Sequence, residues 1–210
     1  MPEERSLRLP RGPVIYLRRP TLADVPTLLA LHTASVRLYR GLASPMKTKR
    51  ACAAYVERCA RPDFVGMLVC RTADDQIVAS VNISQIVRGG FHSAYMGYQA
   101  FSPYAGQGYM TAAMPLVLRV VFGVLRLHRV EANIQPENAA SLALVRRAGF
   151  VNEGYSERYL KIAGRWRDHE RWAITVERWT ALRRANRAKT IRRTRRQPAV
   201  TSPRKTQGTR

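Results

Sequence analysis

Two glycines one residue apart, Gly106 and Gly108, stand at the mouth of a predicted helix in the stretch Tyr104-Ala-Gly-Gln-Gly-Tyr-Met-Thr111. The first N–H groups of a helix have no acceptor within it, and the helix dipole adds partial positive charge there, so such a mouth holds anions. Glycine lets the backbone approach a ligand without a Cβ in the way. The N–H groups of Gln107, Gly108, Tyr109 and Met110 are thereby placed to cradle a pyrophosphate. The bland alternative is an ordinary turn entering a helix. Context favours the anion site, because a predicted strand precedes the loop and the helix starts immediately. A nucleoside-triphosphatase loop is excluded, since no Gly-Lys-Ser/Thr follows. A dinucleotide fold is disfavoured by the missing third glycine. Further on, Pro136-Glu-Asn-Ala-Ala-Ser141 starts another helix whose polar side chains can point back toward the same ligand, and Gly149-Phe150 ends it.

The elements that must position these residues follow from periodicity and turn chemistry. Val14–Arg18 alternates and stops before Pro20, which predicts a strand. Thr21, with Asp24 three residues on, predicts a helix start leading into Leu28–Leu31. A second helix is predicted over Thr48–Ala60, with Ala51, Tyr55 and Cys59 on one face. Phe64–Arg71 and Ile77–Val87 read as strands joined by a turn at Thr72–Asp75. Arg88-Gly-Gly90 makes another turn before a strand from Ala94 to Phe101. The glycine loop opens a long helix to about Leu127, within which Pro115 should kink the helix or remove a hydrogen bond. Arg129–Gln135 is a strand whose Val130, Ala132 and Ile134 alternate with Arg129, Glu131, Asn133 and Gln135, so the polar set shares one face. Glu137–Ala148 is a helix capped by Gly149, and Phe150–Thr175 supplies two closing strands. The expected architecture is α/β (α+β): a mixed central sheet with helices on both faces.

Composition bounds the rest. The chain has 210 residues, room for one well-buried domain and an extension. No apolar run approaches membrane-spanning length, and the N-terminal residues lack the apolar core of a secretory signal. Cys52, Cys59 and Cys70 form no C-x-x-C pair and read as small core residues in a reducing cytoplasm. His32, His92 and His128 show no ligand spacing, so no metal is expected. The formal net charge is +22. From Arg183 to Arg210 the basic residues run without an acid, which predicts a largely disordered basic tail with some helical extension toward Arg196. Such a run suits RNA phosphates without sequence preference, or serves only to solubilise. The expected organisation is an arm over residues 1–12, one domain over 13–180 and the tail over 181–210.

The span from Val14 to Thr175 resembles the GNAT superfamily of N-acyltransferases. Its second half, from Gly106–Thr111 through Arg167-Asp168-His169, resembles the ribosomal-protein-alanine N-acetyltransferase subgroup. The superfamily signature Arg/Gln-x-x-Gly-x-Gly/Ala falls on Ala105 to Met110, with Ala105 departing at the first position. Val81–Gly89 also resembles the subgroup. The resemblance implies a mostly antiparallel sheet splayed at the cosubstrate. It also implies acetyl-coenzyme A held by Ala105, Gly106, Gln107, Gly108, Tyr109, Met110 and Thr111. The backbone at Gln99, Ala100 and Phe101 would bind the pantetheine, with Asn138 as an amide contact or simply the helix N-cap.

The same resemblance implies direct attack of an amine on the thioester, with no covalent enzyme intermediate. Ser141 is the candidate hydroxyl near the sulfur, or a first-turn residue satisfying the backbone. The tyrosine that acts as acid in many relatives falls on Val145 here. The glutamate of relatives falls nearest Asn133, which cannot titrate. Glu131 on the same face is a substitute base or an arginine's partner, and Glu153 and Glu157 lie toward the acceptor side. Tyr98, Tyr104, Tyr155 and Tyr159 line the acceptor slot or the core. Trp166 and Trp172 read as core or interface, and His169 as a structural or substrate-side residue. The implied activity is acetylation of the N-terminal alanine or serine of a ribosomal protein. The rivals are acetylation of a polyamine or aminoglycoside, and an RNA- or ribosome-associated factor of little activity.

Overall fold

β1 (Ile15–Arg18) opens the fold and stops ahead of Pro20. Residues 9–195 are described by the structure, a computed structural model; residues 1–8 of the expected arm and 196–210 of the expected tail lie outside the described residues. Just past β1 the Asp24 carboxylate accepts from the Thr21 N–H at 2.7 Å and the Thr21 hydroxyl at 3.0 Å. Arg18 closes on the same carboxylate with bonds of 2.8 and 2.6 Å, tying the strand end to the helix start. Burial by itself would raise the Asp24 pKa, but these bonds outweigh it and hold the carboxyl below its ordinary range. α1 (Val25–Ala34) and α2 (Lys49–Arg58) follow, the latter capped by Thr48, whose hydroxyl accepts from the Ala51 N–H at 3.1 Å.

The remaining elements are β2 (Phe64–Arg71), β3 (Ile77–Val87), β4 (Ser93–Ala100), α3 (Tyr109–Arg119), β5 (Arg129–Ile134), α4 (Ala139–Ala148), β6 (Val151–Ile162), β7 (Arg165–Thr175) and α5 (Val176–Arg195). The strands form one sheet in the order β1-β2-β3-β4-β5-β7-β6. Every adjacent pair is antiparallel except β4 with β5. One apolar cluster packs α3 and α4 on one face, and a second packs α1 and α2 on the other. β2 is correspondingly buried from Phe64 through Cys70, on both faces at once. All three cysteines are buried, and burial pushes their thiols up, which leaves them inert.

The parallel pair is short. β4 and β5 pair only over Ser93–Tyr95 and Arg129–Glu131. Beyond that point both strands continue without pairing to each other, β4 to Ala100 and β5 to Ile134. The sheet is therefore split at its centre, and the helix that follows each strand starts at the open end.

Two expectations are corrected here. The helix after the glycine loop does not run evenly to Leu127. α3 ends at Arg119 and passes into a wide turn over Val120–Val124, closed by the Leu125 N–H to the Val120 carbonyl at 2.8 Å. That turn buries Val120, Val121 and Phe122 in succession, as α3 does Leu116, Val117 and Leu118. Pro115 sits inside α3 and removes one helical donor. The boundary expected at residue 180 falls inside α5, which is helical to Arg195. No helix among the described residues is long and apolar enough to cross a membrane.

Candidate active site

The split between β4 and β5 opens into a groove of about 350 Å³ that leads to the glycine loop. Gly106 (φ 78°) and Gly108 (φ 82°) are both left-handed, and nothing lies within 4 Å of where a Cβ would stand. Backbone sign rather than crowding is what demands glycine there. Gly108 is the N-cap of α3, and its carbonyl accepts from the Ala112 N–H at 3.0 Å. The N–H groups of Tyr109, Met110 and Thr111 therefore have no acceptor within the helix and stand at the groove. Ala105, Gly106, Gly108, Tyr109, Met110 and Thr111 all line it, as do Gln99, Ala100, Asn138 and Ser141. The wall opposite adds Arg147, whose cation sequence reasoning missed. Its signal was spacing: Ser141, Leu144 and Arg147 lie on one face of α4.

Phe101 is an exception. Its ring is fully buried against His32, and its N–H donates to the Val78 carbonyl at 3.0 Å. A residue committed to the ladder and the core cannot serve a ligand. The Gln107 side chain also turns away, donating to the Pro103 carbonyl at 2.9 Å and bracing the loop. Gln99 is oriented from behind, its amide N–H donating to His32 Nδ1 at 3.0 Å.

Ser141 lies at the first turn of α4. Asn138 caps that helix by accepting from the Ser141 N–H at 3.1 Å, so its side-chain oxygen is spent on the helix. The Ser141 hydroxyl is 2.5 Å from the Tyr98 hydroxyl, close enough for a short hydrogen bond across the open sheet. Burial pushes the Tyr98 phenol up to about 12, so it keeps its proton at neutral pH.

Past Tyr98 and Ser141 the groove joins a slot of about 250 Å³. Asn133, Gln135, Asn82, Gln99 and His169 furnish its polar surface. The slot in turn shares Ser80, Asn82 and Gln99 with a third hollow of about 420 Å³ under α1 and α2, where Arg58 is the charged side chain. No acidic side chain lines either one. Asn133 Oδ1 is buried with no hydrogen-bond partner among the described residues, a cost of about 1–3 kcal/mol that an incoming N–H would offset.

His169 is buried, and its Nδ1 donates to the Arg167 carbonyl at 3.0 Å, which leaves Nε2 as an acceptor. Burial lowers its pKa, so the ring is neutral at physiological pH. The carboxylates expected as bases are elsewhere. Glu131 bonds Arg129 Nε at 3.0 Å, as the arginine-partner reading had it. Glu153 closes on the same guanidinium. Glu157 is exposed on β6 and lines neither hollow. Tyr155 and Trp166 are exposed as well, whereas Trp172 is buried in the sheet. No cluster of metal-ligating side chains occurs among the described residues.

With this geometry in place, comparisons with known proteins are informative. A family model described as an acetyltransferase (GNAT) domain matches residues 15–151. The chain is 39% identical over 107 residues to the [ribosomal protein uS5]-alanine N-acetyltransferase of Escherichia coli. That match covers 51% of this chain and spans about half, 55%, of the curated relative. Among solved structures, Mycobacterium smegmatis RimJ in complex with CoA-disulfide aligns with a TM-score of 0.71 and 29% identity, covering 81% of this chain and 85% of that one. A spermidine N-acetyltransferase from Vibrio cholerae, in complex with CoA and spermine, aligns with a TM-score of 0.70 at 19% identity, covering 80% and 99%. At that identity the likeness is one of fold.

Proposed function

The chain belongs to the GNAT acetyltransferase family, and on that premise we propose that it moves the acetyl group of acetyl-coenzyme A to the N-terminal α-amino group of a ribosomal protein beginning with alanine or serine. The groove supplies what the cosubstrate needs. Free N–H groups at the start of α3 and the Arg147 cation meet the pyrophosphate. The edge of β4 from Met96 to Gln99, unpaired with β5, faces the pantetheine, and the Tyr39 hydroxyl occupies the Ala100 carbonyl beyond it. The thioester then lies at the split, between the groove and the slot.

The amine arrives through the slot and attacks the thioester carbonyl directly. The new C–N bond forms, the C–S bond breaks, and the nitrogen sheds a proton. An α-amino group has a pKa of about 7.7–8.0, so a useful fraction is already neutral near pH 7. Asn133 Oδ1 accepts from the amine, and His169 Nε2 or an ordered water takes the proton. At the other side of the split, Ser141 donates toward the departing sulfur while Tyr98 donates to Ser141. The high Tyr98 pKa keeps that chain of donors charged with protons.

The observation that carries the choice of acceptor is the lining of the slot and of the hollow beyond it: amides, hydroxyls, two imidazoles and one arginine, without a carboxylate. A polycation such as spermidine or an aminoglycoside gains its affinity from acids, so this lining disfavours it. A peptide N-terminus asks instead for main-chain partners, which amide side chains provide. Release of coenzyme A from acetyl-coenzyme A in the presence of an alanine-starting peptide tests the reading. Turnover should vanish when that peptide's α-amine is blocked beforehand; turnover on an internal lysine instead would overturn it. We further assign the basic run from Arg183 onward to RNA contact, as a tether separable from the chemistry.

A further inference from the structure

The hollow under α1 and α2 is left unused by that mechanism. It encloses about 420 Å³ and joins the slot along Ser80, Asn82 and Gln99. On the sheet that floors it, Asn82 of β3 pairs across with Gly97 of β4. Paired residues share a face, so β4 offers no side chain at that point. Nothing lies within 4 Å of where a Gly97 Cβ would stand, and the passage from slot to hollow is open there.

The roof is one face of α2, made by Ala51, Ala54, Tyr55 and Arg58 at helical spacing. Two alanines on that face forgo about 0.8 kcal/mol for each CH₂ that larger side chains would bury, and they leave the space empty. Tyr55 is fixed at the back. Its hydroxyl rests 2.8 Å from where a Gly66 Cβ would stand and donates to Asn82 Oδ1 at 2.9 Å. Burial raises the Tyr55 pKa, so the phenol keeps that proton. With Oδ1 accepting, the Asn82 amide turns its NH₂ donors the other way. At the lip the Arg58 guanidinium lies over the Phe64 ring, 4.3 Å from its centroid. It forms no ion pair among the described residues. Glu57, the one acid of α2, does not line the hollow.

We infer that this hollow receives the side chain of the acceptor's second residue and selects aspartate or glutamate there, with Arg58 and the Asn82 amide on the carboxylate. The inference rests on the proposed acetylation of a peptide α-amine. Consecutive Cα atoms are about 3.8 Å apart, so a chain whose amine sits in the slot carries its second side chain to the boundary that the two cavities share. A carboxylate only accepts hydrogen bonds, and Arg58, the Asn82 amide and the Ser44 and Ser80 hydroxyls can all donate to it. A lysine in the same place would meet an unpaired guanidinium and no acid.

The test measures kcat/KM of the full chain on peptides that begin Ala-Glu, Ala-Gln and Ala-Lys and are otherwise identical. Wild type is expected to favour Ala-Glu over Ala-Gln by about fivefold or more, and to take Ala-Lys least. Arg58→Ala should bring the ratio of the first two near one. Arg58→Glu should reverse the order, taking Ala-Lys in preference to Ala-Glu, which the loss of a merely structural arginine would not do. Arg50→Ala removes the same charge from α2 outside the hollow and should keep the wild-type ratio. If wild type takes Ala-Glu and Ala-Gln alike, if Arg58→Glu still prefers Ala-Glu, or if Arg50→Ala loses the preference as fully as Arg58→Ala, the second-residue pocket is overturned and the α-amine reading stands. If no peptide α-amine is acetylated, both are overturned.

Discussion

At the scale of the residue, the account turns on two hydroxyls and one imidazole. The Tyr98–Ser141 contact at 2.5 Å spans the split sheet, and the proposed mechanism uses it to direct a proton at the thioester sulfur. Ser141→Ala should lower kcat by about tenfold to a hundredfold, the worth of one hydrogen bond to a developing charge, with little change in KM for acetyl-coenzyme A. Tyr98→Phe leaves Ser141 in place and should cost less. Steady-state kinetics on both variants decides it: if neither moves kcat, the pair is structural. Ser141 was legible in the sequence because the polar start of α4 follows Pro136. Tyr98 was visible only as an aromatic on a strand, since its partner is 43 residues away. Strand alternation gave the face that Glu131 shares, but not the arginine that claims it. His169 was read as structural or substrate-side, and the structure makes it both, a buried ring anchored by its Nδ1 and bordering the slot.

At the scale of the element, the sequence announced nearly every strand and helix, because caps and turns are local chemistry. Thr48, Asn138 and Gly149 each end or start a helix where expected. The split between β4 and β5 was expected only from the family resemblance and not from local chemistry, since the length over which two strands pair is set by tertiary contacts. Nor did the sequence show the wide turn after Arg119, since the apolar run continues through regular helix and turn alike. Two histidines link the elements to pH. His32 on α1 holds Gln99 of β4, and burial depresses both its pKa and that of His169 below 6.5. Below pH 6.5 the unfolded chain takes up protons that the native state refuses, so stability present above 6.5 is lost as pH falls through the lowered folded values. The urea midpoint should therefore be lower at about pH 5.5 than at about pH 7.5, and His32→Gln should flatten the difference. An unchanged slope in that variant would mean that His32 is not one of the groups responsible.

At the scale of the whole molecule, charge and active site occupy different parts of the chain. The formal +22 was plain from composition, and its concentration after Trp179 was plain from order. A helical extension toward Arg196 was expected too, but not that α5 docks on α3 and α4, because the many arginines of its sequence mask the small apolar face of Trp179 and Leu182. If the basic run is an RNA tether, the logarithm of the RNA binding constant should fall linearly with log salt, at about 0.7 per phosphate neutralised on a single strand. Removing residues 196–210 should shallow that slope and leave turnover on a short peptide unchanged. A slope indifferent to the deletion would place the RNA contact elsewhere. The central claim concerns the acceptor, and it is tested most directly by competition. Offered acetyl-coenzyme A with an alanine-starting ribosomal-protein peptide and spermidine in one vessel, the enzyme should acetylate the peptide's α-amine and leave spermidine untouched. Preferential acetylation of spermidine would contradict the reading of the acid-free slot.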